Sequence, residues 1–213
     1  IIFEAVTNPG ISMIFVCPRL EQASIFSKTR LLPAIDQSPL VRRLLLGDRG
    51  RRPQVMNLRF ANDSQLFLRA AFHSADPVRG LSADLLFVDE FQDASVARAR
   101  MIRGLLRKPQ KYLLAVGDDW QSINRFAGAD LSVLSRFEEW FGRGPTMQLT
   151  RTFRCTQVIA DVASKFVMKN TEQFRKEVRG VRSVSSVPVR LVRANNASSA
   201  LASALRHLDE SED

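Results

Sequence analysis

The 213-residue chain predicts an α/β fold with a mostly parallel sheet. The first observation is a set of continuous apolar runs of strand length, which suit parallel strands covered on both faces. These runs are Ile11–Cys17, Leu85–Val88 and Tyr112–Val116. The second observation is that segments with helical periodicity alternate with the runs. The third is that two runs lead into paired carboxylates, Asp89 with Glu90 and Asp118 with Asp119. Ligands bind at such strand ends in open α/β sheets.

The first third of the chain predicts a helix, a strand, a second helix and a hairpin. Residues 1–7 read as the end of a helix, which the turn signal Asn8-Pro9-Gly10 stops. After the first strand, Leu20–Leu32 has helical periodicity. The arginine-rich stretch 42–53 predicts a loop. The sequences VMNLRF and QLFLRAAF flank a turn-like stretch at 61–64 and predict a β-hairpin.

The remaining elements continue the alternation of strand and helix. Residues 95–107 predict a basic amphipathic helix, and Tyr112–Asp119 predicts a third buried strand. Further predicted helices are Leu131–Phe141, Thr156–Lys169 and Ala197–Leu208, and further predicted strands are Met147–Leu149 and Val187–Arg193. Glycine and proline cluster at 142–145, which predicts a boundary between a domain at 1–145 and a second at 146–213.

Composition is that of a soluble globular protein, with 45% hydrophobic and 25% charged residues. The net charge of +9 favours polyanions. The first candidate partner is nucleic acid, and the second is an anionic membrane surface. The alternative is a basic surface without a specific partner. No apolar run reaches the roughly 18 residues that span a bilayer. Cys17 and Cys155 lack metal-ligand spacing, which favours a reducing cytoplasmic compartment. The start, IIFEAVTNPG, does not resemble a signal peptide and suggests an internal fragment.

The carboxylates after Val88 have a chemical interpretation. Phosphoryl transfer from ATP needs Mg²⁺ to neutralise phosphate oxygens, a carboxylate to hold the ion, and a group that orients the attacking water. Asp89 suits the metal, and Glu90 suits the water. The alternative is that the two carboxylates simply cap a strand before a loop.

Three motifs that follow in order favour the interpretation of Asp89 and Glu90 as part of a nucleotide site. They are DEFQD at 89–93, VGDDWQSINRFAGAD at 116–130 and LTRTFRCTQVIADVASKF at 149–166. This set resembles the UvrD/Rep-type superfamily 1 DNA helicases, in particular the DNA helicase IV-like branch, over about residues 85–193. The resemblance implies a RecA-like P-loop NTPase core with a mostly parallel sheet, and the start of a second RecA-like domain from about residue 146.

The helicase resemblance implies roles for individual residues. Asp89 and Glu90 are the expected Walker B pair, which binds Mg²⁺ and the catalytic water. Gln121 is expected to sense the γ-phosphate and link it to the DNA site. Arg154 is expected to reach ATP from the second domain and stabilise charge on the transferring phosphoryl group, which suits a planar guanidinium. The alternative for Gln121 and Arg154 is ordinary surface polarity.

The same resemblance implies a site for single-stranded DNA at Arg125 and Phe126. Aromatic side chains in this motif stack on bases, and stacking binds without reading sequence. Asn124 stands where the family usually has tyrosine, and Ala127 where it often has arginine. We therefore expect weaker base contact than in typical members. Core packing is the alternative for Phe126, and also for Trp120.

The front of the chain has a different resemblance. The stretches at 17–43 and 73–93, including RGLSAD before the carboxylates, resemble the ATPase region of phage terminase large subunits over residues 1 to about 93. Both families place Asp-Glu at the end of the equivalent strand of a RecA-like sheet. The chain therefore resembles a junction of a terminase-like front and a helicase-like back. Recombination within phage DNA would produce it, and so would an error in joining sequence reads.

The phosphate loop GxxxxGK[ST] is absent from these 213 residues, which contain no Gly-Lys pair. In both families the loop lies upstream of what is residue 1 here. The leading interpretation is a fragment of an ATP-dependent DNA motor, of the helicase type, which uses ATP and Mg²⁺ to move on single-stranded DNA. Phage packaging or DNA repair partners would accompany it. The alternatives are a terminase packaging ATPase and a non-catalytic DNA-binding module.

Overall fold

The computed structural model describes residues 1–47, 54–71, 76–106, 111–182 and 195–202. The chain divides into two compact units, Ile1–Pro145 and Thr146–Asp213, and each is considered by itself. In the described part of the chain, no helix has the length and apolarity needed to cross a membrane.

The first unit is built on a five-stranded sheet in the order β2-β3-β1-β4-β5. Its strands are β1 (Ser12–Cys17), β2 (Asn57–Arg59), β3 (Gln65–Ala70), β4 (Leu85–Val88) and β5 (Tyr112–Ala115). All neighbours are parallel except β2 and β3, which pair antiparallel. The predicted α/β fold with a mostly parallel sheet is confirmed, and so is the hairpin, whose turn contains Asp63 at a φ of 65°.

Two hydrophobic layers cover the faces of this sheet. Side chains alternate between faces along β1, so Met13 and Phe15 belong to one layer and Ile14 and Val16 to the other. The first layer lies under α1 (Ile2–Thr7), α2 (Leu20–Phe26), α3 (Leu32–Gln37) and α4 (Pro39–Leu46), and the second under α5 (Val96–Leu105), α6 (Leu131–Ser135) and α7 (Phe137–Phe141). Burial on both faces explains why β1 is apolar from Met13 to Cys17.

Two predictions for the front of the chain need correction. The stretch predicted as a loop from Arg42 is helical up to Leu46, because Ser38 accepts a hydrogen bond from the Val41 N–H at 3.4 Å and Pro39 begins the first turn. Residues 48–53 of that stretch lie outside the described residues. The helix predicted over Leu20–Leu32 is present, but a π-helical segment at Ser27–Leu31 joins α2 to α3.

The third strand is not buried as predicted. Tyr112 is 68% exposed and Leu114 is 51% exposed. The physical reason is position, because β5 is the last strand of the described sheet and no described helix covers this face of it. The opposite face, with Leu113 and Ala115, packs against the second layer. Apolarity alone therefore identified the strand correctly but not its surroundings.

The helix predicted at Leu131–Phe141 is two short helices. Asp130 begins α6 by accepting a hydrogen bond from the Ser132 N–H at 2.9 Å. Arg136, at φ −110° and ψ 37°, leaves helical geometry and separates α6 from α7. The break turns α7 so that Phe137 and Phe141 both contact Phe91.

The second unit contains β6 (Arg151–Thr156), α8 (Gln157–Val167) and β7 (Arg179–Arg182), with β7 parallel to β6. The helix predicted at Thr156–Lys169 is confirmed as α8. The strand predicted at Met147–Leu149 is wrong, because these residues have no regular structure and the strand starts at Arg151. The predicted strand Val187–Arg193 lies outside the described residues. Residues 197–202 are helical, and 203–208 lie outside the description.

Candidate nucleotide site

The carboxylates Asp89 and Glu90 lie where β4 leaves the sheet. The Asp89 N–H donates to the Val16 carbonyl at 2.9 Å, so the strand pairing extends one residue past Val88. Glu90 then adopts a left-handed conformation, with φ 52° and ψ 42°. This conformation is uncommon for residues other than glycine, asparagine and aspartate, and it is stabilised by surrounding contacts. The Glu90 N–H donates to Asp89 Oδ1 at 3.0 Å. This hydrogen bond holds the Asp89 carboxylate against the turn that follows β4.

Gln92 joins the end of β4 to the end of β5. It is 3% exposed. Its Nε2 donates to Glu90 Oε2 at 2.6 Å, and its Oε1 accepts from the Asp118 N–H at 3.0 Å. Its carbonyl also accepts from Ser122 Oγ at 3.2 Å. A buried amide with both ends paired is a rigid connection, because leaving either end unpaired is unfavourable.

The same connection reaches Gln121. The chain passes from β5 through Asp118 into a 3₁₀ turn at Asp119–Gln121. Gln121 Nε2 donates to Asp118 Oδ2 at 2.6 Å, and the Asp118 N–H is bound to Gln92. A continuous path of hydrogen bonds thus runs from Glu90 through Gln92 and Asp118 to Gln121. Gln121 itself is exposed, so its amide lies at the surface of the site.

Asn124, the residue that departs from the helicase pattern, has a structural role. Its Nδ2 donates to Asp93 Oδ1 and Oδ2, both at 2.9 Å. Arg98 donates to the Asp93 carbonyl. Burial lowers the pKa of the Arg98 guanidinium, and the negative charge of Asp93 partly opposes this. Asn124 therefore fastens the motif that follows β5 to the turn that follows β4. Sequence reasoning assigned no role to Gln92 and none to this pairing.

Arg125 and Phe126 lie on an exposed 3₁₀ turn beyond Asn124. Phe126 is 89% exposed, so the core-packing alternative for this ring is wrong. Trp120 is half-buried, so it is neither a fully buried core residue nor a fully exposed ring. Arg154 lies in the second unit, exposed on β6. The structure therefore brings Asp89, Glu90 and Gln121 into one network, and the approach of Arg154 stays a prediction.

The donor set at Asp89 fits a magnesium ion that also binds a nucleotide. Asp89 Oδ1 accepts from a backbone N–H, and carboxylate oxygens are the ligands that Mg²⁺ prefers. Within the described ranges, no three His, Cys, Asp or Glu side chains form a metal-binding group. Mg²⁺ in nucleotide sites typically takes one or two carboxylates and completes its coordination with phosphate oxygens and water.

Cys17 ends β1 beside these carboxylates and is 1% exposed. Burial raises the pKa of its thiol to about 11, and the nearby Asp89 charge contributes in the same direction. The thiol therefore stays protonated near neutral pH and is a poor nucleophile. Cys155 is partly exposed.

We expect a thiol reagent at pH 8 to label Cys155 of the native protein at least tenfold faster than Cys17, because only the thiolate reacts. Peptide mapping of the labelled protein measures both rates. Cys155→Ser should remove the fast phase, and denaturant should expose Cys17. Fast labelling of Cys17 in the folded protein would contradict its burial.

The mostly parallel sheet with carboxylates at a strand end is consistent with a P-loop NTPase-like fold. The structure is similar to the crystal structure of the HK97 bacteriophage large terminase, with a TM-score of 0.50 and 14% sequence identity. The similarity covers 78% of this chain and 34% of that one. At this identity the likeness shows the fold.

Two sequence families match different parts of the chain. The ATPase domain of phage terminase large subunit gpA matches residues 1–101, and the UvrD/REP helicase N-terminal domain matches residues 79–142. DNA helicase IV of Escherichia coli (strain K12) is 41% identical over 97 residues, 45% of this chain and 14% of that protein. The ATP-dependent DNA helicase PcrA of Leuconostoc citreum is 34% identical over 95 residues, 45% and 13% respectively. The chain therefore spans a small part of either helicase.

Both predicted resemblances are confirmed, and the chain combines a terminase-like segment with a helicase-like one. The two matches overlap at residues 79–101, which contain β4 and the carboxylates. One hydrophobic layer crosses the overlap, because Ile14 from the front and Val133 from the back are both 0% exposed in it. The junction is therefore packed as a single core on this face of the sheet.

Proposed function

We propose that the chain is a part of an ATP-dependent DNA motor that couples hydrolysis to movement on single-stranded DNA. The observation that carries the proposal is the hydrogen-bond path from Glu90 through Gln92 and Asp118 to Gln121. It connects the two strand ends where a triphosphate would lie. The match to the UvrD/REP helicase N-terminal domain supports the type of motor, since it covers residues 79–142, which contain this path.

In this proposal each residue has one task. Asp89 holds Mg²⁺, which supplies positive charge to the phosphate oxygens. Glu90 orients the attacking water and accepts its proton; Gln92 fixes Oε2 and leaves Oε1 for the water. Gln121 binds near the γ-phosphate and transmits its presence to Arg125 and Phe126, which contact single-stranded DNA. Arg154, from a second RecA-like domain that begins near residue 146, stabilises charge in the transition state.

We expect binding of a fluorescent, non-hydrolysable ATP analogue to require Mg²⁺ and to weaken at least tenfold in Asp89→Asn, because the metal loses its anionic ligand. Fluorescence titration with and without Mg²⁺ measures this. Asp63→Asn is the matched control, since Asp63 lies in the hairpin turn at the opposite edge of the sheet and asparagine tolerates its positive φ. If Asp89→Asn bound the analogue as tightly as the parent chain, or if the affinity were the same with and without Mg²⁺, the proposed nucleotide site would be wrong.

The 213-residue polypeptide itself should not hydrolyse ATP at a useful rate. It contains no Gly-Lys pair, so no phosphate loop and lysine surround the β- and γ-phosphates. Phosphate release in the presence and absence of single-stranded DNA is the measurement. DNA-stimulated turnover that Glu90→Gln abolishes would show this prediction to be wrong.

The second candidate is a phage packaging ATPase, which the match to the terminase ATPase domain over residues 1–101 favours. The two motors differ in preferred substrate, single strands for a helicase and duplex for a packaging motor. Competition between single-stranded and duplex DNA in the binding assay separates them. A non-catalytic DNA-binding module would bind DNA in a salt-dependent way and would not bind the ATP analogue.

A further inference from the structure

A cavity of about 540 Å³ lies in the first unit between the end of α5 and α7. Its lining combines two arginines with two aromatic rings and a short apolar floor. The residues are Arg100, Arg103, Gly104, Leu106, Trp140 and Phe141. None of them belongs to the candidate nucleotide site.

The end of α5 that borders the cavity lies toward the opposite edge of the sheet from that site, whereas Phe141 reaches Phe91 in the turn after β4. The helix α5 begins at Ser95, just after the turn that carries Asp93 at the carboxyl end of β4. Ten residues of α-helix extend about 15 Å. They return the chain to the opposite edge, where β5 must start because it is parallel to β4. Arg103 and Leu106, at the end of the helix, therefore lie near the amino ends of the strands.

The two arginines are available to an external anion. Arg100 and Arg103 are exposed, three positions apart on one face of α5, and make no side-chain hydrogen bond or ion pair with any residue that the structure describes. The segment 96–111 contains six arginine and lysine residues and no acidic residue. The nearby Glu138 does not line the cavity and lies 3.9 Å from the Arg143 guanidinium. The charged side chains of the described helix α5 are therefore all positive, Arg98, Arg100 and Arg103, whereas α7 carries Glu138 and Glu139 before Trp140.

The two aromatic rings that line the cavity differ in their contacts with other rings. Phe141 contacts Phe91 at 5.8 Å and Phe137 at 4.9 Å between ring centroids, so it belongs to the core. Trp140 is half-buried and packs partly against the second hydrophobic layer, but it makes no ring contact within the described part of the chain. An indole face beside two guanidinium groups suits a ligand that has both a flat ring and a phosphate.

We propose that this cavity binds single-stranded nucleic acid, with backbone phosphates at Arg100 and Arg103 and one base stacked on Trp140. Charge attracts the polyanion, and stacking favours exposed bases over duplex, in which the bases are already stacked. The contact is a second one, separate from Arg125 and Phe126. It does not depend on nucleotide binding, so it stands whether or not the proposed ATP site is correct.

Binding of a fluorescein-labelled oligothymidylate, followed by anisotropy at several salt concentrations, tests the arginines. We expect Arg100→Ala/Arg103→Ala to bind about tenfold more weakly. Its slope of log K against log salt should be smaller by about 1.4, from roughly 0.7 per phosphate for single strands. Lys28→Ala/Arg30→Ala removes the same charge from an exposed segment away from the cavity and should change affinity less than twofold. Equal losses in both double variants would overturn the proposal.

Tryptophan fluorescence tests the stacked base. The chain has two tryptophans, and the quenching that oligothymidylate causes should fall by at least half in Trp140→Phe. Heparin, a polyanion without bases, should not quench Trp140. Unchanged quenching in Trp140→Phe, or equal quenching by heparin, would show that no base stacks there. Phe126→Ala distinguishes the two DNA contacts, because it tests the proposed motor site and leaves the cavity intact.

Discussion

Replacing Phe91 by alanine is expected to destabilise the first unit by about 3–5 kcal/mol, the usual range for a large buried aromatic ring. Phe91 is 0% exposed. Its ring meets Phe137 at 5.6 Å and Phe141 at 5.8 Å in edge-to-face contacts, which add to the area that it buries. Truncation would leave a cavity between the turn after β4 and the helix α7.

The same substitution should also disturb the nucleotide site. The Phe91 N–H donates to the Val116 carbonyl at 2.8 Å, directly after the left-handed Glu90. If the ring no longer anchors this turn, the position of the Glu90 carboxylate is less well fixed. We therefore expect weaker binding of the Mg²⁺–ATP analogue even at temperatures where Phe91→Ala is folded.

Urea unfolding followed by circular dichroism measures the loss of stability, and Phe126→Ala is its control. Phe126 is 89% exposed, so its removal should change the free energy of unfolding by less than about 0.5 kcal/mol. Similar effects from the two substitutions would mean that the Phe91 cluster does not hold the unit together.

The strands of the sheet could be predicted because their signal is local. A run such as Met13–Val16 has apolar side chains at every position, and its short length between Gly10 and Pro18 favours a strand covered on both faces. The surroundings of β5 could not be predicted in the same way. Whether Leu114 is covered depends on distant segments, and no periodicity within Tyr112–Ala115 records that.

In the candidate site, too, local features could be predicted from the sequence and contacts between distant residues could not. Asp89 and Glu90 are adjacent in sequence and follow a recognisable strand, so their joint placement could be expected. The bridge made by Gln92 could not, because it depends on Asp118, 26 residues further on, reaching hydrogen-bond distance. The role of Asn124 was missed for a related reason. The sequence indicates only that Asn124 lacks the aromatic ring of the family pattern, whereas the structure shows that its amide donates a hydrogen bond to Asp93.

Gly117 lies close to Gln92 and Phe91, and substituting it is expected to have the second large effect on stability and nucleotide binding. A Cβ atom there would lie 2.9 Å from both the backbone nitrogen and Oε1 of Gln92, and 3.2 Å from the Phe91 Cβ. These distances are shorter than carbon contacts tolerate, and a backbone atom cannot move aside as a flexible side chain does. Gly117→Ala is therefore expected to destabilise the first unit by about 1–3 kcal/mol. It should also separate the Gln92 amide from the Asp118 N–H.

Gly104→Ala is the matched control, because the same methyl group there should have the opposite effect. Gly104 lies inside α5, and its added Cβ would have no atom of the described residues within 4 Å outside the helix's own backbone. Alanine exceeds glycine in helix propensity by up to about 1 kcal/mol, so this variant should be more stable than the parent chain. Thermal unfolding compares the two, and titration with the Mg²⁺–ATP analogue shows whether only Gly117→Ala weakens binding. If Gly117→Ala kept full stability and full affinity, the ends of β4 and β5 would not be joined through Gln92, and the path from Glu90 to Gln121 would lose its central link.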